Sequence, residues 1–129
     1  MCIHCSNNPR KQQIVIGMTK KKEQFDILKD KMTHFLRERD WEKYHTPKNV
    51  AMSIAIEAAE LMELLQWTNP DKQTVISNQE LMSQIKDEIA DIIIYSISLG
   101  LGLNIDVFEC VLAKMDKNYD RFPPNKVLE

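Results

Sequence analysis

Two stretches of this chain are apolar except for carboxylates spaced three apart, and they limit the folds open to it. In Ile54–Leu65, Glu57, Glu60 and Glu63 interrupt a run of Ile, Ala, Leu and Met. In the second stretch Glu88 and Asp91 take the same spacing, and Ile92-Ile93-Ile94 follows directly. Residues at i and i+3 are neighbours on one face of a helix, so each stretch reads as a helix with its acids in line. Glu57 also falls three after Ile54 and four before Leu61, along the inward apolar stripe. Three Gly and five Pro in 129 residues are too few for a turn-rich β-sandwich. A chain of this length holds one domain.

Boundary signals divide the rest. Residues 1–18 show no sustained period and read as a flexible tail. Within it, Cys2-x-x-Cys5 around His4 could be half of a zinc site, but a closed site needs four ligands and the sequence has no second pair. Two reduced thiols in a tail are the simpler reading. From Thr19 to about Asp40, Phe25, Leu28, Met32, Phe35 and Leu36 repeat at helical spacing. Thr46-Pro47 pairs an N-cap hydroxyl with proline at the first helical position, and that helix is expected to run to about Trp67. Residues 68–76 read as a connector. Ser77-x-x-Glu80 and Asp106-x-x-Glu109 read as capping boxes, opening helices that end near Gly100–Leu103 and before Pro123. The expected fold is all-α and antiparallel four-helix bundle-like, with the helical domain over residues 19–129.

A net charge of −2 gives no general pull toward nucleic acid polymers or anionic membranes. The longest apolar run, Ile89–Leu103, is shorter than the ~20 residues of a membrane span and contains Asp91. The N-terminus lacks an apolar signal core, so a cytoplasmic location is expected.

Ionised carboxylates near apolar surface are costly and repel one another. A divalent cation removes both problems, and all-oxygen ligands suit magnesium, with manganese as the alternative, better than zinc or copper. Di-iron bundles need Glu-x-x-His turns, and neither acidic turn contains His. The same acids could instead be solvent-facing partners of lysines. Spacing and composition leave both readings open. On the last helix Lys114, Lys117, Asn118 and Arg121 fall at i, i+3, i+4 and i+7, a polar stripe that suits a polyphosphate or, equally, a solvated face near a helix C-terminus. Trp41, His45, Trp67 and Tyr95 are candidates to stack on a base.

From Phe35 to Pro123 the chain resembles the MazG-like all-α nucleoside triphosphate pyrophosphatases, particularly the dCTP pyrophosphatase branch. The matching segments are Arg37–Glu42 with Tyr44-His45, Glu57–Trp67, Asp87–Tyr95, and Lys114–Asn118 before Arg121-Phe122-Pro123. They agree in order and spacing over about two thirds of the chain. The resemblance implies hydrolysis of dCTP or a related, modified dNTP to the monophosphate and pyrophosphate. It implies Glu57, Glu60, Glu88 and Asp91 as magnesium ligands, with the Glu57/Glu60 turn also catalytic. Trp41 and Trp67 would border the base, His45 and Tyr95 would lie nearby, and Lys114, Lys117 and Asn118 would meet the phosphates. Arg121 joins them by helical geometry. Self-association as a homodimer or homotetramer is implied as well, in keeping with a third helix that is apolar nearly all round. A broad-specificity pyrophosphatase and a non-catalytic oligomeric scaffold with vestigial acids are the competing readings. Two departures stand out. Ile56 and Ala59 precede the glutamates where the family commonly has glycine, and His34 and Met32 occupy the first helix where some relatives place a pocket histidine at a different offset. His34 is therefore given no base-binding role.

Overall fold

The computed structural model describes residues 9–124, so the Cys2-His4-Cys5 segment lies outside the described residues. Over that range the chain forms five α-helices and no strand: α1 (Pro9–Glu38), α2 (Pro47–Glu63), α3 (Lys72–Ser77), α4 (Gln79–Gly102) and α5 (Val107–Arg121). A single 3₁₀ turn, Glu42–Tyr44, sits between α1 and α2.

The all-α class is as expected, and the boundaries differ in four informative places. α1 starts at Pro9 rather than Thr19. Arg, Lys and Gln in this segment are good helix formers, so helix propensity extends α1 where the sequence shows no sustained apolar period. α2 ends at Glu63, and bonds from Leu65 N to Met62 O and from Thr68 N to Leu65 O tighten the following segment into turns short of Trp67. The expected connector holds α3, capped by Asp71, whose Oδ1 accepts from Thr74 N at 2.7 Å. That short helix takes Ser77 as its last residue, so Asn78 rather than Ser77 caps α4 through Leu81 N. The two other caps are where the sequence puts them. Thr46 accepts from Asn49 N and Asp106 from Glu109 N.

α4 is the hub. Its most extensive packing is against α2, and α1, α3 and α5 also touch it. Among the described residues Met32 of α1, Val50 of α2 and Ile97 of α4 are the buried apolar side chains. The chain bends by 105° between α4 and α5, far from an antiparallel hairpin. Gly100 permits this bend, because a Cβ there would strike the Val107 side chain at the start of α5. α5 is then fastened to α1 by the Phe25–Phe108 rings, 5.8 Å apart, and by a 3.3 Å Lys22–Glu109 ion pair. Among the described residues no single helix is long and apolar enough to cross a membrane.

Candidate active site

The α2–α4 pairing brings the two acidic turns face to face. One carboxylate oxygen from each of Glu57, Glu88 and Asp91 lies within 4.8 Å of the others, close enough to share one cation. Glu60 lies one turn along α2 from Glu57. Burial, followed by the neighbouring Glu60 carboxyl, pushes the Glu57 carboxyl above its ordinary range. Glu88 is raised as well, by burial and then by the charges of Glu60 and Asp91. Its Oε2 is buried with no hydrogen-bond partner. A buried, unpaired carboxylate oxygen facing other carboxylates is a costly arrangement that a hard divalent cation satisfies.

A cavity of about 440 Å³ opens beside this cluster, within the range of small-ligand sites. Asp91 belongs to both. The cavity is walled by Lys31, Met32, Phe35 and Leu36 of α1, by Trp41 and His45 of the following segment, and by Ile94, Tyr95 and Ser98 of α4. Its aromatic wall is set by local geometry at the end of α1. Asp40 takes a left-handed φ of 53°, which turns the chain back so that Trp41 N donates to Leu36 O. Trp41 then meets Phe35 edge-on with ring centroids 5.8 Å apart, and Arg39 stacks over the other ring at 3.7 Å. His45 Nδ1 lies 2.9 Å from the Trp41 carbonyl. A carbonyl only accepts, so Nδ1 carries the proton, and the neutral ring keeps Nε2 as an acceptor.

The candidate residues thus divide. Glu57, Glu60, Glu88 and Asp91 converge, and Trp41, His45 and Tyr95 line the adjoining cavity. Trp67 does not join them: α2 stops at Glu63, and the turns that follow leave this side chain 88% exposed. Lys114, Lys117, Asn118 and Arg121 also stand apart from the cavity lining and the acidic group, because the 105° bend directs α5 across α1. Arg121 lies over the Phe122 ring at 5.1 Å. The α1 wall and Ser98 went unassigned from sequence. Met32, Phe35 and Leu36 sit on the apolar stripe of α1 and are indistinguishable there from ordinary core. The signal for Ser98 is its i+7 spacing from Asp91, on the line through Ile94 and Tyr95.

Comparison with known proteins agrees with this architecture. The profile of the MazG-like family matches residues 52–128. Relatives named dCTP pyrophosphatase 1 are 38% identical in Bos taurus and 35% in Mus musculus, each over 92 residues, and 34% in Homo sapiens over 90 residues. The matches cover 69% of this chain and 53% of each relative, so the chain spans about half the length of these curated relatives. A crystal structure of a pyrophosphatase from Archaeoglobus fulgidus DSM 4304 superposes with a TM-score of 0.70 at 39% identity, covering 78% of this chain and 93% of that one. The chain belongs to the MazG-like family.

Proposed function

We propose that this protein hydrolyses deoxynucleoside triphosphates, dCTP or a modified relative foremost, to the monophosphate and pyrophosphate. The observation that carries the reading is the sharing of Asp91 between the carboxylate cluster and the aromatic cavity. A triphosphate at the cluster would put its nucleoside in the cavity. The names of the mammalian relatives direct the choice toward dCTP.

The donor set fits magnesium, with manganese as the alternative, and Glu57, Glu60, Glu88 and Asp91 would hold it. When bound, the ion supplies charge that neutralises the triphosphate and acidifies water. The Glu57/Glu60 turn orients a water and takes its proton. The bond between the α- and β-phosphates breaks, water supplies the oxygen and protons, and pyrophosphate departs. Trp41 and Tyr95 hold the base by their faces, and the walls of the cavity keep water from it. Lys114, Lys117, Asn118 and Arg121 stand apart from the site within one chain. Their phosphate role belongs to an assembly in which a second copy brings α5 to the site, a homodimer or homotetramer. Trp67 borders the base in the same way.

A panel of canonical and 5-modified (d)NTPs, assayed for pyrophosphate with magnesium, tests the reading. We expect dCMP and pyrophosphate from dCTP at the highest kcat/KM. A flat profile would favour a broad-specificity pyrophosphatase. Absence of turnover together with absence of magnesium-dependent stabilisation by non-hydrolysable dNTP analogues would leave only a helical scaffold.

A further inference from the structure

The hydroxyl of Ser98 lacks the partner that most helical hydroxyls of this fold possess. Thr33, Ser53 and Ser96 each donate to the carbonyl four residues back, at 2.9, 3.1 and 2.7 Å. Ser98 is only 8% exposed, yet among the described residues its hydroxyl makes no hydrogen bond. Nor is its oxygen sealed off, since among the described residues the buried and unpaired side-chain oxygen is that of Glu88. Ser98 lines the cavity. A hydroxyl left unpaired in apolar surroundings is unfavourable until something entering the space completes it.

Its position along α4 says what that something is. Asp91, Ile94, Tyr95 and Ser98 form one line of cavity-lining residues, and seven residues of helix rise about 10.5 Å. With the phosphates at the Asp91 end, this is the reach of a nucleoside from its 5′ oxygen to the substituent farthest from the sugar. In a pyrimidine that substituent is carried at position 4. We propose that Ser98 is a specificity-determining residue whose hydroxyl hydrogen-bonds the 4-substituent of a pyrimidine base. For cytosine, Oγ accepts from the 4-amino group. This inference rests on the nucleotide reading of the cavity and goes beyond it in assigning the reader of the base edge.

The test compares dCTP with 2-pyrimidinone deoxyribonucleoside triphosphate, which lacks only the 4-amino group, as substrates of the wild-type protein and Ser98→Ala. The wild type is expected to prefer dCTP, because a site built around a hydrogen bond rejects the analogue that lacks it. In Ser98→Ala, kcat/KM for dCTP is expected to fall about tenfold while that for the analogue is unchanged. The ratio is taken within one preparation, so partial loss of folded protein cancels. Ser98→Gly removes the same hydroxyl and serves as a second variant. Equal losses on both substrates, or no loss on either, would overturn the assignment while leaving the nucleotide reading intact. If the wild type releases pyrophosphate from neither, the nucleotide reading itself fails, and this proposal fails with it.

Discussion

Glu88 places a buried carboxylate oxygen without a partner among three other acids. The folded carboxyls of Glu57 and Glu88 bind their protons more tightly than the unfolded chain does. Their contribution to stability is therefore complete below the unfolded glutamate pKa of about 4.3 and is lost as pH rises through the raised folded values. In EDTA, Tm should fall across that window, and Glu88→Gln should soften the fall and raise Tm by a few degrees at neutral pH. Magnesium should reverse the trend, stabilising the wild type more as pH rises and the carboxyls ionise. Thermal melts with and without EDTA check this, and superimposable profiles for wild type and Glu88→Gln would refute it. Glu60→Gln makes the catalytic contrast: it should abolish the proposed pyrophosphate release with the helical circular dichroism intact, and near-normal turnover would remove Glu60 from the mechanism. These acids stood out in the sequence because in each helix an i, i+3 carboxylate pair interrupts an apolar run. Whether they were solvated or convergent was not legible, since that depends on which face of α2 meets α4.

At the scale of elements, two glycines near the end of α4 separate helix propensity from packing. At Gly100 a Cβ would collide with the Val107 side chain and press on the Ile105 carbonyl at 3.2 Å, whereas at Gly102 it would meet nothing within 4 Å. Gly100→Ala should cost about 1–3 kcal/mol by overpacking the α4–α5 corner. Gly102→Ala should gain up to ~1 kcal/mol from helix propensity. Urea titrations of the two variants measure both, and equal effects would contradict the close approach at Gly100. Thr46 and Asp106 were recognisable as caps because each stands alone before its helix. At the α3–α4 junction Ser77 and Asn78 competed, and only the folding of residues 72–77 into α3 decided for Asn78. The start of α1 was not legible for a different reason: its helix formers carry no sustained apolar period in the sequence.

At the scale of the whole molecule, Met52, Ile56 and Met62 on α2 and Ile89 and Ile93 on α4 are apolar and each more than 40% exposed. Light scattering after size exclusion should give a dimer or tetramer, and a stable monomer would contradict the assembly. Met52→Glu with Ile93→Glu should dissociate it and lower activity together with mass. By itself the sequence determined the helical class, the two acidic turns and the starts of α2 and α5, because these depend on contacts within a few residues of one another. Tertiary structure decided which acids share a cation-sized space, which aromatics wall the cavity and which stand off it. Those outcomes depend on the rotation of α2 against α4 and on the corner at Gly100. The two acidic turns, named from spacing, became a candidate site only because one side chain, Asp91, belongs to both the cluster and the cavity.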